Sequence, residues 1–179
     1  VLVFFRGWDK AFERRMENSW CWFFNATYRR AAAFIVLASE FRQRLLSWGV
    51  PAPIHLGTTA IASDLLEGFS IQAKLEDANE DRPLRMLFLA RLERSKGIGE
   101  TLEALALLRS RGRRVVLTVA GDGVAMPEVR EFAASHPELA EVLSIAGDVR
   151  GARKREMLAM DDVYCFPSYT EGMPNSVLE

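Results

Sequence analysis

The residues best suited to chemistry are two glutamates, Glu171 and Glu179, that stand at the ends of one short segment. Between them lie a glycine–proline loop and an Asn-Ser pair, which is typical of the start of a helix. A strand-like run, residues 162–166, leads into the loop. The first backbone N–H groups of a helix lack intrahelical partners, and the helix dipole favours negative charge there. Strand, loop and helix start together predict an anion site of the kind that binds phosphate groups.

The same segment also has a purely structural interpretation. Ser176 and Glu179 have the spacing of a capping box, in which the two side chains each satisfy a backbone N–H group of the first turn. The sequence leaves both interpretations of Glu179 open. Glu171 is harder to explain without a ligand, because a carboxylate beside an anion site is unfavourable unless it has another partner. Sugar hydroxyls are suitable partners, since an ionised carboxylate accepts their hydrogen bonds.

Further polar and glycine-containing turns follow the predicted strands of the second half. Arg91 and Lys96 lie after one strand. Two glycines, Gly121 and Gly123, follow the next strand, and a Gly-Asp pair at 147–148 follows the third. Any one of these turns is more often structural than functional. In a parallel sheet, however, all of them lie at the carboxyl edge, where such sheets bind ligands. Their coincidence there with the glutamate segment favours a phosphate-bearing ligand.

These turns are positioned by strands and helices that alternate from residue 83 onwards. Four apolar strands are predicted at 85–90, 115–120, 142–146 and 163–166. Amphipathic patterns between them predict helices at 98–112, 127–135 and 152–160. Such alternation is typical of right-handed βαβ units. It predicts the α/β class, with a doubly wound parallel sheet of the Rossmann-like type.

The first half is also predicted to alternate. Its three strands lie at 1–5, 34–37 and 54–56, the first of them fully buried. A helix from about 9 to 33 has an apolar stripe, predicted to face the core, formed by Phe12, Met16, Trp20, Phe23 and Phe24. Core packing is favoured over lying on a membrane surface, because the basic side of this helix is short. Ser39 is predicted to cap a second helix, 40–48, which Gly49 ends.

The composition argues against several classes of function. A net charge of −1 gives no reason to expect a nucleic-acid partner, and no apolar run is long enough to cross a bilayer. The two histidines and two cysteines are not at metal-ligand spacing, which predicts no metal site. Buried thiols in a reduced cytoplasm are the simplest interpretation of Cys21 and Cys165. Val1 lies within a strand and Glu179 lies where a helix should continue, so we expect part of a longer protein.

Residues 83–179 resemble the retaining GT-B glycosyltransferases of family 4. The matching stretches, in the family's order, are 88–92, Lys96-Gly97, 119–123, 166–168 and 171–179. Glu171 and Glu179 have the spacing of that family's E-x7-E motif. The resemblance implies three regions: the end of an N-terminal, acceptor-binding Rossmann-like domain at 1–56, an interdomain linker at 57–82, and an incomplete nucleotide-sugar-binding domain at 83–179.

The resemblance also implies roles for individual residues. Arg91 and Lys96 would hold the diphosphate of a nucleotide-sugar donor and offset charge on the departing nucleoside diphosphate, and Glu171 would contact the sugar. These three are the predicted catalytic residues. The predicted donor-binding residues are Gly121, Gly123, Val149, Lys154, Gly172, Met173, Asn175, Ser176, Val177 and Glu179.

Within the donor-binding set the implied contacts differ. The backbone at 172–173 would lie near the sugar, and the amides at 176–177 would bind the distal phosphate. Glu179 would accept hydrogen bonds from the ribose hydroxyls. Residues near Val149, together with Lys154, would line the base.

One departure from the family concerns the acceptor side. Where the family strand matching residues 1–5 often ends in a histidine and a small residue, this sequence has Arg6 and Gly7. An arginine does not act as a base at neutral pH. Arg6 therefore either binds substrate in this subfamily or stands out of register with the histidine. Donor binding is unaffected by this difference.

The predicted activity is transfer of a sugar from a nucleoside-diphosphate sugar to a glycan, lipid or small-molecule acceptor, with retention of configuration. The family implies no metal and no other cofactor. We expect a cytoplasmic protein with at most peripheral contact with the inner face of a membrane. Two alternatives stay open: a sugar-nucleotide epimerase of the same fold, and a non-catalytic nucleotide-sugar-binding protein, which Arg6 favours. The chain by itself is expected to be inactive, because most of one domain is missing.

Overall fold

A computed structural model of the chain describes residues 1–8, 10–28, 30–59, 68–77, 82–169, 171 and 174–179. The chain divides into two compact units, which are treated separately. The first comprises residues 1–61 and 170–178, and the second comprises residues 62–169 and 179. Strands and helices alternate in both units, as the sequence predicts.

A parallel sheet forms the centre of the first unit. Its strands are β1 (Leu2–Phe5), β2 (Ala33–Val36) and β3 (Ile54–Leu56), paired in the order β1-β2-β3. The prediction that the first strand is fully buried is wrong, because Leu2 and Phe4 are exposed. Val3 and Phe5 pack against the core. Successive side chains of a strand point to opposite faces, so only one set of β1 side chains reaches this core.

The long helix of the first unit contains a change of period. Helix α1 (Lys10–Arg15) continues through a π-helical turn, Met16–Trp20, into helix α2 (Cys21–Tyr28). The i→i+5 hydrogen bonds of a π turn take up one residue more than those of an α-helix. The face that points inward is therefore shifted by one residue after the turn.

This shift explains which residues of the apolar stripe are buried. Met16 is buried, and the next inward residue is Cys21, five positions on rather than four. Phe24 continues the inward face. Trp20 and Phe23 are exposed, so their predicted place in the core is wrong.

Helix α3 (Ser39–Ser47) follows β2 and packs Phe41 and Leu45 into the same core. It begins one residue earlier than predicted, with Ala38 rather than Ser39 in the N-cap position. Gly49 follows its last turn with a φ of 71°, in the left-handed region that favours glycine. The predicted helix stop is therefore confirmed.

The second unit is built on a larger parallel sheet. Its strands are β4 (Leu84–Leu89), β5 (Val115–Ala120), β6 (Leu143–Gly147) and β7 (Val163–Tyr164), in the order β6-β5-β4-β7. Its helices are α4 (Ile71–Asp77), α5 (Ile98–Ser110), α6 (Met126–Ser135) and α7 (Gly151–Met160). Two 3-10 turns occupy Arg94–Lys96 and Pro137–Leu139.

Both faces of β4 are covered by helices. Phe88 packs with residues of α5 and α6 in one core cluster. Leu87 and Leu89 pack on the other face with Met157 and Leu158 of α7. Apolar residues on both faces are typical of a central strand in a parallel sheet. This is the doubly wound arrangement predicted for residues 83–179.

Helix α4 lies within 57–82, the range predicted to link two domains, and belongs to the second unit. Its Lys74 donates hydrogen bonds to the main-chain carbonyls of Ala159 and Asp161 at the end of α7. A positive charge at a helix C-terminus is favourable. The rest of that range includes residues 60–67 and 78–81, which lie outside the described residues, and the linker stays a prediction.

Candidate functional site

The strand order of the second unit defines where a ligand is expected to bind. From β4 the chain proceeds to β5 and β6 on one side, and then crosses to β7 on the other side of β4. The strand order therefore reverses between β4 and β7. Open α/β sheets bind ligands at the carboxyl edge of such a switch point, and we refer to this edge as the crevice.

The turn after β4 carries the two cations predicted to bind a diphosphate. Arg91 is largely exposed and forms an ion pair with Glu93, with 2.8 Å between Nη1 and Oε1. Exposed ion pairs of this kind are weak, so a phosphate group can compete for Arg91. Lys96 is half-buried at the end of the 3-10 turn. Both residues lie beyond the carboxyl end of β4, at the switch point.

Gly97 allows this turn to touch the loop after β7. It has a φ of 76°, and a Cβ atom there would lie 2.3 Å from the carbonyl oxygen of Pro167. No other residue type fits that approach without a shift of backbone. Gly97 therefore sets the distance between the two loops that flank the crevice.

Hydrogen bonds join the same two loops. The Tyr169 N–H donates to the Ser95 carbonyl at 3.0 Å, and the Ser168 hydroxyl donates to the same oxygen at 3.2 Å. The Tyr169 hydroxyl also donates to Glu100 on α5, which lowers the pKa of Glu100 and raises the pKa of Tyr169. These contacts were not predicted from the sequence, in which the Pro-Ser pair after β7 is the only signal for them.

The glycines after β5 pack the next turn against the turn after β4. A Cβ atom at Gly121 would lie 1.9 Å from the Ala90 carbonyl oxygen, and one at Gly123 would lie 2.4 Å from that of Leu92. The Leu92 N–H donates to the Asp122 carbonyl at 2.9 Å. These glycines thus have a packing role beside the crevice, and their predicted contact with a donor stays a prediction.

The residues predicted to line a base lie in the turn after β6 and in the first turns of α7. Val149 is buried, and its side chain packs with Leu87 and Leu89 in the core, so it faces the sheet. Lys154, in the first turns of α7, forms an ion pair with Glu179. The two predicted donor-binding residues Lys154 and Glu179 are therefore in direct contact, which the sequence did not predict.

The closing segment belongs to the first unit up to residue 178. Its helix, α8 (Asn175–Leu178), begins at the predicted Asn-Ser pair. Thr59 donates a hydrogen bond to the Asn175 side-chain oxygen at 3.1 Å. The Val177 amide, predicted to bind a phosphate, donates to the Pro174 carbonyl at 3.2 Å. Glu171 is partly buried, and the predicted residues Gly172 and Met173 lie outside the described residues.

The capping-box alternative is not supported by this geometry. Ser176 lies inside α8 rather than before it. The carboxylate of Glu179 pairs with Lys154 instead of reaching back to the start of the helix.

On the acceptor side, Arg6 and Gly7 follow β1 in the first unit and are both exposed.

A second charged cluster lies at the opposite, amino edge of the sheet. The carboxylate of Asp162 accepts two hydrogen bonds from the Arg82 guanidinium, at 2.5 and 2.9 Å, and one from the Arg85 N–H at 2.9 Å. The Arg82 guanidinium holds the pKa of Asp162 well below its usual range. Burial raises the pKa of the nearby Cys165 thiol, which therefore does not resemble a reactive nucleophile. This cluster ties β4 to β7 at the edge away from the crevice.

Two features are absent from the described part of the chain. It holds no group of three or more His, Cys, Asp or Glu side chains that could bind a metal ion. None of its helices is both long and apolar enough to span a bilayer.

A sequence model of the family described as Glycosyl transferases group 1 matches residues 83–179, which is more than half of the chain. The chain belongs to this family. The family match covers β4 to β7 and the E-x7-E segment, so it includes both loops that flank the crevice.

Two curated relatives extend the similarity to the first unit. The chain is 26% identical over 174 residues to the alpha-D-kanosaminyltransferase of Streptomyces kanamyceticus, covering 94% of the chain and 45% of that relative. It is 27% identical over 145 residues to the amylovoran biosynthesis glycosyltransferase AmsK of Erwinia amylovora, covering 78% of the chain and 34% of that relative. The chain thus spans less than half the length of these relatives.

Several solved structures share the fold. Anabaena Alr3699/HepE in complex with UDP and glucose aligns with a TM-score of 0.67 at 15% identity, covering 96% of this chain and 47% of that one. The pneumococcal O-GlcNAc transferase GtfA in complex with UDP and GlcNAc aligns with a TM-score of 0.67 at 16% identity, covering 96% of this chain and 30% of that one. The predicted GT-B type of α/β fold is confirmed.

Proposed function

We propose that the protein is a retaining glycosyltransferase of family 4, which transfers a sugar from a nucleoside-diphosphate sugar to an acceptor. Membership of the glycosyl transferases group 1 family supports this class of enzyme. The observation that carries the proposal is the position of Arg91 and Lys96, on a turn that is bonded to the β7 loop at the switch point of the sheet. The E-x7-E segment follows that loop along the chain.

The positive charges of Arg91 and Lys96 at this edge suit a reaction in which negative charge develops on the leaving group. Breaking the bond between the sugar and the diphosphate places negative charge on the departing nucleoside diphosphate. Arg91 and Lys96 stabilise that charge, and Glu171 accepts hydrogen bonds from the sugar hydroxyls. Catalysis is then mainly positioning together with electrostatic stabilisation of the leaving group. The proposal includes no metal and no other cofactor.

The test compares three cations of one turn in the full-length protein. Arg91→Ala and Lys96→Ala should each lower transfer about a hundredfold or more, as expected when a charge-stabilising group is removed. Arg94→Ala is the matched control, because Arg94 points away to an ion pair with Glu128 on α6, at 3.0 Å. It should retain transfer close to wild type. Near-normal transfer by both the Arg91 and Lys96 variants would refute the assignment.

The donor is identified by ligand-induced stabilisation. Two similar proteins were solved with UDP, which supports a nucleotide-sugar donor. UDP-, GDP- and ADP-sugars are screened with the full-length protein, and the donor is the one that raises its melting temperature. Conversion of that donor without an acceptor would indicate an epimerase. Stabilisation without any product, across a panel of glycan and lipid-linked acceptors, would indicate a binding protein.

We also place the protein in the cytoplasm, with at most peripheral contact with the inner face of a membrane. The surface suited to such contact is the outward side of α2 and the π turn, where Trp20, Trp22 and Phe23 are exposed. The Arg15 guanidinium lies 5.7 Å from the centre of the Trp20 ring. Aromatic side chains beside a basic residue suit the interface of a bilayer. Co-sedimentation of the full-length protein with anionic vesicles tests this placement.

A further inference from the structure

The ion pair between Lys154 and Glu179 is not explained by the separate roles that the family resemblance gives these residues. The Lys154 ammonium meets Oε2 of Glu179. The side chains are 26% and 16% exposed, respectively. Charges with so little contact with water lose hydration, and a partner of opposite sign offsets that loss. The ion pair therefore offsets part of the hydration that each of the two side chains loses.

Lys154 stands on a well-anchored part of the second unit. It lies in the first turns of α7, which begins at Gly151. Val149, two residues before the start of that helix, is buried against the sheet beside Leu87 and Leu89. A side chain on an anchored helix turn can hold its partner in one direction. Lys154 is thus suited to orient the Glu179 carboxylate.

The ion pair with Lys154 involves the Oε2 oxygen of the Glu179 carboxylate. Oε2 is buried, and among the described residues no hydrogen bond to it accompanies the ion pair with Lys154. The other oxygen, Oε1, is the one to which we assign the hydrogen bond from a ligand hydroxyl. Since a carboxylate is planar, holding Oε2 also fixes the direction in which Oε1 accepts.

We propose that Lys154 is a positioning residue, which orients the Glu179 carboxylate for the contact with the donor ribose that the family resemblance implies for Glu179. This inference rests on the proposed function and adds a role for Lys154. It differs from a direct contact between Lys154 and the base. A base contact contributes equally to ribonucleotides and to deoxynucleotides, whereas an orienting contact contributes only when a hydroxyl is present.

The test measures the dissociation constants of two nucleotides that differ only in their ribose hydroxyls. The full-length protein is titrated calorimetrically with the nucleoside diphosphate that it binds, and with the 2′,3′-dideoxy form of the same nucleotide. Charge-assisted hydrogen bonds are among the stronger ones, so the wild type should prefer the ribose form about tenfold or more. Lys154→Met should bring this ratio close to one by weakening the ribose form, with little effect on the dideoxy form.

Three further variants make the result specific. Glu179→Gln should lower the ratio in the same way, and adding Lys154→Met to it should change little, since both act through one contact. Lys154→Arg retains the positive charge and should keep most of the preference, which also covers the case in which the methionine variant folds poorly. Arg153→Met is the matched control, because Arg153 is an exposed neighbour on α7, and it should leave the ratio unchanged.

The outcomes separate this inference from the proposed function. If Lys154→Met weakens both nucleotides equally, Lys154 contacts the base and the inference is wrong. If Lys154→Met changes neither constant, the inference is also wrong, although the proposed function stands. If the wild type binds no nucleoside diphosphate at all, the proposed function fails and this inference fails with it.

Discussion

Gly97 is the single residue on which the approach of the two crevice loops depends. Its φ is 76°, and a Cβ atom there would meet the Pro167 carbonyl oxygen at 2.3 Å. A left-handed conformation costs a residue other than glycine roughly 1–2 kcal/mol even without a clash. The contact with Pro167 adds to that cost, because both atoms belong to backbone.

We therefore expect Gly97→Ala to lower the free energy of unfolding of the full-length protein by about 2 kcal/mol or more. Gly99→Ala is the control, since Gly99 lies in α5 with nothing within 4 Å of an added Cβ. Alanine there should be neutral or stabilising by up to about 1 kcal/mol. Urea unfolding curves of the two variants provide the measurement. Equal stability of both would show that the loops do not need this close approach.

Asp162 makes the stability of the second unit depend on pH. Its pKa is held below the usual range by hydrogen bonds from Arg82, and its side chain is only 13% exposed. A carboxylate with a lowered pKa in the folded state stabilises the fold fully above the pKa of the unfolded chain, about 3.9. That stability is lost as the pH falls below this value towards the folded pKa.

Asp162→Asn should consequently lower the free energy of unfolding at pH 7, and its difference from wild type should shrink as the pH falls below about 4. Asp148→Asn is the matched control, because Asp148 forms an exposed pair with Arg150. It should change stability by less than about 1 kcal/mol at any pH. The free energies of unfolding of wild type and both variants are measured between pH 3 and 7. A difference in this free energy between wild type and Asp162→Asn that stays constant with pH would contradict the expectation.

Among the elements, the π turn between α1 and α2 has the clearest consequence. It makes Cys21 and Phe24 the inward residues of α2 and leaves Phe23 and Trp20 outside. The side chains of Phe24 and Phe23 are neighbours along the chain and chemically identical, yet they are 6% and 54% exposed.

Phe24→Ala should cost about 3–5 kcal/mol of stability in the full-length protein, as expected for a buried phenylalanine. Phe23→Ala should stay within about 0.5 kcal/mol of wild type, as is usual for surface positions. Denaturant unfolding of the two variants in parallel measures this difference. Similar losses for both would mean that the helix runs through without the π turn.

At the scale of the whole molecule, the chain spans less than half the length of the curated relatives that it matches. It covers 45% of the kanosaminyltransferase and 34% of AmsK. We therefore expect the 179-residue chain to show no sugar transfer under conditions in which the full-length protein is active. The comparison uses one donor and one acceptor at equal protein concentration. Turnover by the chain at a comparable rate would overturn this expectation.

From residue 83 onwards the sequence determined the order of strands and helices, and it did so for a local reason. Apolar runs of strand length and helical periods report on the immediate surroundings of each residue, as for β4, β5 and α5. Parallel βαβ units then place every polar turn at one edge, so the neighbourhood of Arg91, Lys96 and the glycines followed from the pattern. The E-x7-E spacing indicated the family without any coordinates.

Only the tertiary structure decided features that depend on contacts between distant residues. The π turn shifted α2 by one residue, which a count of helical spacing between Met16 and Phe24 did not detect. Two contacts join positions far apart in the chain: the close approach of Gly97 to Pro167, and the ion pair between Lys154 and Glu179. Periodicity shows which face of an element is apolar, but packing alone decides which side chain meets which.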